Sequence, residues 1–370
     1  MSLPVSSTSS AQPKSKTTSS SLPIQDELIV SCFAKVPRCD YPSLSLVSKP
    51  FSRLIASPEM NLVRSLSQST ENVLYVALGS NREQNLVWYT LNQIPHREGS
   101  NSLNHKLIPV PSFPSLPSWG ASLIVIRNEI YVFGGCINGE LTSKVFVIDS
   151  RFGTYRFLPS MRVARGYAAL GVVDGKIYVI GGCKKVDSLD IEVFDVKTET
   201  WECFSGLCNE EVFEVTIKSF VMNEKIYIMD PKQIFVYDPK TGKWVEDNLL
   251  NAEWKMGSCV IDNMLYTFDS SWSKIKIYDP KAESWIFMKG VEDLPEMMSY
   301  YYGSIMANHG GKLAILYYNY NVNGKTGVWY TEIALEKREG KEIWGKILWS
   351  NLLITLNYYP TIAQCLDVII

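Results

Sequence analysis

A repeated motif constrains the fold of this chain more than any other feature of the sequence. The stretch IYVFGGC at residues 130–136 returns almost unchanged as IYVIGGC at residues 177–183. Related apolar doublets occur elsewhere, and turn residues precede every doublet except the first. The six doublets are Leu74-Tyr75, Ile130-Tyr131, Ile177-Tyr178, Ile226-Tyr227, Leu265-Tyr266 and Leu313-Ala314. The pattern therefore predicts a tight hairpin that leads into an apolar strand, several times over.

A second mark follows four of these doublets. An aspartate ends an apolar segment such as VFVID or IFVYD, and an aromatic residue stands six positions later. The four pairs are Asp149 with Tyr155, Asp195 with Trp201, Asp238 with Trp244 and Asp279 with Trp285. Because this spacing stays fixed while loop lengths vary, it indicates an internal repeat.

The pattern predicts four strands in each repeat unit, and the period of about 40–56 residues matches that of a propeller blade. Such a sheet has two apolar faces, and radial stacking of copies around an axis covers both. We predict a mainly all-β chain with a six-bladed propeller over residues 73–370; five or seven blades are the alternatives. Residues 362–370 form a strand without a blade of its own, so we expect it to complete the first blade and close the ring.

The residue types of the repeat suit this packing. Glycines that follow the second strand, namely Gly134, Gly135, Gly181 and Gly182, allow close backbone approach and a sharp turn. We expect each repeat aspartate to accept hydrogen bonds from the backbone just downstream and so fix a turn. The aromatic residue that follows would fill the gap between neighbouring blades.

The first part of the chain has a different character. Residues 1–20 are mostly Ser, Thr and Pro, so they cannot bury enough apolar area to fold, and a disordered tail is expected. Over residues 21–66, apolar residues recur at helical spacing between prolines. The pattern predicts three short helices: Pro37 stops the first, Pro50 opens the third and Pro58 ends the set.

Composition narrows the classes of function. A net charge of −2 gives no field that would attract nucleic acid or an anionic membrane, and no apolar run is long enough to span a bilayer. The eight cysteines are scattered without a C-x-x-C pair, which favours free thiols in a reducing compartment. We therefore expect an intracellular protein, in the nucleus, the cytoplasm or both.

Signs of catalysis are weak. The three histidines, His96, His105 and His309, lie far apart and show no metal-ligand spacing. Neither a phosphate-binding loop nor a nucleophile-elbow motif occurs. The sequence predicts no catalytic residue, metal or cofactor, although an active site lined by loop carboxylates is a less favoured alternative.

Two sets of motifs resemble known families. The double glycines, the Asp–Trp pairs and the stretch MRVARGY at residues 161–167 resemble kelch repeats, but the last three blades lack the double glycine. Residues 22–60 resemble an F-box, with its Leu-Pro opening and with Phe51 where many members carry Trp. Together with IWGK at residues 343–346, the two halves in this order are similar to plant F-box/kelch-repeat proteins.

The resemblance implies a non-catalytic substrate receptor of an SCF-type cullin–RING ubiquitin ligase. Its F-box would dock a Skp-type adaptor and, through it, the cullin and RING subunits. Its propeller loops would hold an unidentified protein target for ubiquitination and degradation. An interaction scaffold without a ligase role is the alternative, and an enzyme of the kelch fold is less favoured.

Candidate contact residues can be named on this basis. Apolar residues in a helical module too small to bury them all are the adaptor candidates: Leu22, Pro23, Ile24, Leu28, Leu44, Leu46, Val47 and Phe51. About half of them could instead form the core of the module. Cationic and aromatic residues on or near the predicted loops are the target candidates. These are Arg162, Arg165, Lys184, Lys185, Trp272, Tyr317, Tyr318 and Tyr320.

Overall fold

The chain forms two compact units, one that ends at Ser69 and one that comprises Thr70–Ile370. The computed structural model describes residues 25–80, 83–95, 103–117, 119–183, 190–205, 218–230, 233–251, 254, 257–269, 274–294, 304–320 and 325–370. The predicted tail at residues 1–20 lies outside this range.

The first unit consists of short helices. In chain order they are α1 (Asp26–Phe33), a 3-10 turn (Arg38–Asp40), α2 (Tyr41–Val47), α3 (Lys49–Ile55) and α4 (Pro58–Leu66). The Ser48 hydroxyl accepts a hydrogen bond from the Phe51 backbone N–H (3.2 Å), and the Ser57 hydroxyl accepts one from the Met60 N–H (3.3 Å). These serines cap α3 and α4. The prediction that Pro58 ends the helices is wrong, because Pro58 lies in the first turn of a fourth helix. Proline fits this position because backbone N–H groups in the first turn have no acceptor within the helix, so the lack of an N–H costs no hydrogen bond.

Helix α4 completes the small core of this unit. The core contains Ile29, Val30, Phe33, Ala34, Tyr41 and Met60. Arg64 of α4 is fully buried, and its Nη1 donates to the carbonyls of Ala34 (3.2 Å) and Val36 (2.9 Å) and to the Tyr41 hydroxyl (2.7 Å). The guanidinium thus ties α4 to the end of α1 and the start of α2. Across the described residues, no helix has the length and apolar character needed to cross a membrane.

The second unit is a ring of six four-stranded antiparallel sheets, as the sequence predicts. Its strands in chain order are β1 (Asn72–Ser80), β2 (Glu83–Pro95), β3 (Leu103–Pro109), β4 (Ser122–Ile126), β5 (Glu129–Phe133), β6 (Cys136–Ile137), β7 (Glu140–Leu141), β8 (Val145–Asp149), β9 (Thr154–Leu158), β10 (Ala169–Val173), β11 (Lys176–Ile180), β12 (Asp190–Asp195), β13 (Thr200–Ser205), β14 (Lys218–Met222), β15 (Lys225–Met229), β16 (Ile234–Asp238), β17 (Lys243–Glu246), β18 (Ser258–Ile261), β19 (Met264–Asp269), β20 (Lys274–Asp279), β21 (Ser284–Phe287), β22 (Ser304–His309), β23 (Lys312–Tyr320), β24 (Thr326–Arg338), β25 (Glu342–Leu356) and β26 (Pro360–Ile369). A short helix α5 (Asn248–Asn251) precedes β18, and a 3-10 turn (Glu339–Lys341) joins β24 to β25.

The strands assemble into blades in chain order. Blade 1 has the order β26-β1-β2-β3, blade 2 has β4-β5-β8-β9, and blades 3 to 6 each take the next four strands up to β25. Strands β6 and β7 form a separate hairpin within blade 2. The first strand of every blade contacts the first strand of the next, so these six strands surround the axis.

The six doublets mark equivalent positions in the six blades. Each lies in the second strand of its blade, namely β1, β5, β11, β15, β19 and β23. The aliphatic member of every doublet has no solvent exposure at all: Leu74, Ile130, Ile177, Ile226, Leu265 and Leu313. Buried apolar clusters fill all six gaps between neighbouring blades. The repeat thus corresponds to mutual burial of sheet faces around the ring.

The repeat aspartates fix the turn between the third and fourth strands. Oδ1 of Asp195 accepts hydrogen bonds from the N–H groups of Lys197 (2.9 Å) and Thr198 (3.0 Å). These bonds stabilise the carboxylate and lower the pKa of Asp195. Oδ1 of Asp238 and of Asp279 accepts from the backbone two and three residues downstream in the same way, and Asp149 accepts from the residue two positions downstream.

The aromatic residue of the repeat fills the blade gap in three of the four pairs. Trp201, Trp244 and Trp285 pack against the clusters between neighbouring blades. The indole N–H of Trp201 also donates to the carbonyl of Pro159, which follows blade 2 (2.9 Å). Tyr155 differs: half of its surface is exposed, and its ring faces Phe146 of its own blade at 6.0 Å. The expected role between blades is wrong for Tyr155.

The C-terminal strand closes the ring within blade 1. Strand β26 pairs antiparallel with β1 along its whole length, from Asn72 opposite Ile369 to Ser80 opposite Pro360. Beyond the strand, the backbones of Glu71 and Ile370 exchange two hydrogen bonds of 2.9 Å. Blade 1 therefore joins the two ends of the second unit.

Candidate functional site

Large apolar side chains remain exposed on the helical unit. Leu46 and Val47 at the end of α2 are 87% and 65% exposed, and Leu28 of α1 is 58% exposed. On α4, Leu62 and Leu66 are 59% and 75% exposed. These two residues are four positions apart, so they share one face of the helix. The unit thus presents apolar side chains that its own core does not cover.

The adaptor candidates divide between this surface and the core. Leu44 and Phe51 are partly buried and pack against the core, where the Phe51 ring meets Phe33 edge to face at 4.8 Å. Their structural role is that of core residues. Leu28, Leu46 and Val47 are exposed and stay the predicted contacts, whereas Leu22, Pro23 and Ile24 lie outside the described residues.

Leu62 and Leu66 are not among the contacts predicted from the sequence. Both residues follow Pro58, where the sequence pattern predicts the end of the helices. The signal was present in Ser57-Pro58, a serine cap followed by a proline in the first turn, ahead of two apolar residues at helical spacing.

One face of the propeller collects the long connections. In an antiparallel blade, the loop between the second and third strands leaves the same edge as the connection to the next blade. An axial channel of about 890 Å³ runs between the six innermost strands, and residues from this face line it. The loops predicted to bind the target join the second and third strands of their blades and so leave from the same edge; they are residues 136–143, 183–190, 229–234, 269–274 and 317–327.

An exposed aromatic pair lies where the channel meets this face. Trp119 and Tyr167 are 47% and 39% exposed, and their rings stack with centroids 5.9 Å apart. The N–H of Tyr167 donates to the Gly120 carbonyl (2.7 Å), and Tyr167 adopts a φ of +57°, which L residues seldom take. Both aromatic residues line the channel. No local sequence signal indicates the pair, because its members lie 48 positions apart in two different blade connections.

Arg165, a predicted target contact, is instead buried within the ring. Only 1% of its surface is exposed, and its Nε donates to Oε1 of Glu192 at 3.0 Å. Its Nη1 donates to the carbonyl of Gly181 at 2.7 Å. Arg165 therefore joins the connection after blade 2 to the third strand of blade 3, and its assignment as a target contact is wrong.

The double glycines make room for this connection. A Cβ on Gly134 would lie 2.1 Å from the Arg165 carbonyl oxygen, and a Cβ on Gly182 would lie 2.5 Å from that of Gly166. The N–H of Gly135 donates to the same Arg165 carbonyl (2.8 Å). Close backbone approach is therefore the reason for glycine here, in agreement with the sequence-based interpretation.

The other target candidates have different positions. Arg162 is exposed, and its backbone N–H donates to Glu192 at 2.6 Å. Tyr317 is 2% exposed within the cluster between blades 5 and 6, so it is a core residue and its assignment as a target contact is wrong. Tyr318 is partly buried against the next cluster. Lys184, Lys185, Trp272 and the side chain of Tyr320 lie outside the described residues.

The channel carries charged groups in its lining. Lys218 begins β14, and burial lowers the pKa of its ammonium. Asp367 of β26 accepts hydrogen bonds from the Asn72 amide (2.5 Å) and the Gly310 N–H (3.2 Å), and it lies 2.8 Å from Nδ1 of His309. The Asp367 carboxylate, near the end of β26, therefore already has three hydrogen-bonding neighbours.

Comparisons with known proteins identify both halves of the chain. The family model described as FKB95, Kelch-repeats domain matches residues 88–354, and the F-box domain model matches residues 22–62. The chain belongs to the F-box/kelch-repeat family. F-box/kelch-repeat proteins are in general non-catalytic adaptors, and an F-box in general binds a Skp-type adaptor.

Several F-box/kelch-repeat relatives from Arabidopsis thaliana match nearly the whole chain. The putative F-box/kelch-repeat protein At3g27910 is 60% identical over 95% of this chain and 92% of its own length. The F-box/kelch-repeat protein At4g39240 is 51% identical over 93% and 90% of the two lengths. Among solved structures, YjhT is 14% identical with a TM-score of 0.50, and the match covers 74% of this chain and 94% of that one. This likeness concerns the propeller fold alone.

Proposed function

We propose that this chain is the substrate-recognition subunit of an SCF-type cullin–RING E3 ubiquitin ligase that works in the nucleus, the cytoplasm or both. Its helical unit docks a Skp-type adaptor and, through it, the cullin and RING subunits. Its propeller binds a protein target for ubiquitination and degradation. The exposed apolar surface on helices that match the F-box model is the observation that carries this proposal.

The exposed residues suit a protein interface. Burial of one large aliphatic side chain contributes roughly 1.5–3 kcal/mol, so five of them offer a substantial driving force for association. Leu28, Leu46, Val47, Leu62 and Leu66 supply this surface. The core of the unit is closed without them, so their exposure to solvent leaves them available to a partner.

The mechanism requires no chemistry from this chain. A receptor that holds a target beside a charged ubiquitin-conjugating enzyme raises the effective concentration of the target lysines. The two compact units divide this task, since each has its own buried core. The propeller contributes the face where the long connections meet, with exposed Trp119, Tyr167 and Arg162, residue types that often anchor interfaces.

Co-purification with a Skp-type adaptor tests the proposal. We expect the full chain with Leu46→Asp and Val47→Asp to bind the adaptor at least tenfold more weakly, because a carboxylate buried in an apolar interface is costly. The control carries Phe157→Asp and Val245→Asp on outer propeller strands, where the side chains are 64% and 62% exposed. Equal binding by the two variants would favour a scaffold without a ligase role.

A further inference from the structure

The axial channel contains a lysine without a described carboxylate partner. Lys218 extends from blade 4 and lines the channel together with two thiols, Cys259 of blade 5 and Cys365 of blade 1. Blades 1 and 4 lie on opposite sides of the six-membered ring, so these residues line the channel from both sides. The Nζ of Lys218 lies 5.3 Å from the centroid of the Phe220 ring.

The surroundings of Lys218 make an unpaired charge unfavourable. Cys259 and Cys365 are 4% and 8% exposed, and burial raises the pKa of both thiols, that of Cys259 to about 12. Both thiols are therefore neutral at physiological pH and do not compensate the ammonium. The described carboxylate in the channel lining, Asp367, is already bound by Asn72 and His309.

A ligand with one negative charge would complete this arrangement. A partly desolvated ammonium gains most from an anion that approaches it directly. Lys218 supplies a single positive charge, so a carboxylate balances it, whereas a doubly charged phosphate would leave an uncompensated negative charge inside the channel.

The aromatic pair at the channel face extends the same site. Trp119 and Tyr167 line the channel that contains Lys218, and both rings are exposed. Exposed stacked rings offer a surface for an apolar or aromatic side chain next to the carboxylate. Among the described residues, the channel therefore combines one cationic side chain with an exposed apolar platform at its mouth.

We propose that this channel receives a carboxylate of the bound target, with Lys218 as its cationic partner and the Trp119–Tyr167 pair as the seat of an adjoining apolar side chain. The inference rests on the proposed function, which makes the ligand a protein. The carboxylate can come from the C-terminus of the target or from an Asp or Glu side chain.

A peptide array tests the inference with the full chain in complex with its adaptor. Random octapeptides are synthesised in two forms, with a free C-terminal carboxylate and with a C-terminal amide. If the C-terminus is the source, amidation abolishes binding. If a side chain is the source, both forms bind, and replacement of Asp or Glu by Asn or Gln abolishes binding.

Variants connect the carboxylate to Lys218. We expect Lys218→Met to bind the selected peptides at least tenfold more weakly, while Lys243→Met, an exposed lysine on β17, binds as the wild type does. Trp119→Ala should weaken binding without removing the requirement for a carboxylate. Melting temperatures of all variants are measured in parallel, and Lys218→Met should keep its fold because the substitution removes a partly buried charge.

Three outcomes would overturn the inference: no peptide binds, the bound peptides need no carboxylate, or Lys218→Met binds as Lys243→Met does. Failure of the proposed function would give a different result: the wild-type chain would not retain the adaptor. The two failures are therefore distinguishable in the same preparation.

Discussion

For Arg165, the sequence is compatible with two roles, a surface contact to the target and a buried ion pair. As an arginine in a predicted loop it suggested a target contact, yet it is paired with Glu192 beneath the surface, and both side chains are 1% exposed. The Glu192 carboxylate also accepts the N–H groups of Arg162 (2.6 Å) and Val163 (3.3 Å). The pair therefore organises the connection between blades 2 and 3 from inside.

Loss of Arg165 should destabilise the propeller strongly. We expect Arg165→Met to lower the free energy of unfolding by about 3–5 kcal/mol, because the Glu192 carboxylate is left buried without its cation. Urea unfolding followed by tryptophan fluorescence measures the change. The double variant Arg165→Met/Glu192→Met removes both charges and should recover part of the loss. A double variant less stable than Arg165→Met would contradict this account.

At the level of elements, two outer strands meet where blades 6 and 1 are neighbours. His105 of β3 packs against Trp349 of β25 with ring centroids 4.3 Å apart, and against Tyr330 at 5.8 Å. The Nδ1 of His105 is buried without a hydrogen-bond partner among the described residues. Burial lowers the pKa of His105, and the nearby Glu332 carboxylate opposes this effect only in part.

This contact should make stability depend on pH. The pKa of His105 is lower in the folded chain than its ordinary value near 6.5, so the unfolded chain binds the proton more readily. The stabilising contribution is complete above that value and declines as the pH falls through it toward the folded pKa. We expect His105→Phe, which keeps a ring against Trp349, to lose less stability than the wild type between pH 7.5 and 5.5. Equal losses in urea unfolding would exclude His105 as the source.

The elements differ in how far the sequence could predict them. The blade strands were predictable because period-two patterning and Asp turns are local signals, and the unmatched strand at residues 362–370 indicated the closure. Helix α4 could not be predicted with certainty, because proline is common both just after the end of a helix and in the first turn of one. Burial of Arg165 depends on a partner 27 positions away, and the channel around Lys218 exists only once the ring has closed.

For the whole molecule, ring closure depends on the last strand. Strand β26 contributes buried Ile362, Cys365 and Val368 to the gaps on either side of blade 1, and Ile370 follows it. Burial of each of the three aliphatic side chains among them contributes roughly 1.5–3 kcal/mol, so their sum is comparable with the net stability of a typical domain, about 5–15 kcal/mol.

Removal of residues 360–370 should therefore open the propeller and leave the helical unit intact. We expect the truncated chain to lose cooperative unfolding of the propeller and its resistance to limited proteolysis, and still to bind a Skp-type adaptor. A chain without residues 2–12 serves as the control of equal length and should unfold as the full chain does. A truncated chain with an unchanged unfolding transition would show that β26 is dispensable.

The closure of blade 1 also sets an order of events during synthesis. The helical unit is complete once residue 66 has left the ribosome, whereas β1 must wait for nearly three hundred further residues before β26 can pair with it. Under the proposed function, a nascent chain would therefore bind its adaptor while the ring is still open. Under the proposed function, only a chain synthesised through β26 would hold a target, so products truncated before β26 would occupy adaptors without delivering a target to them.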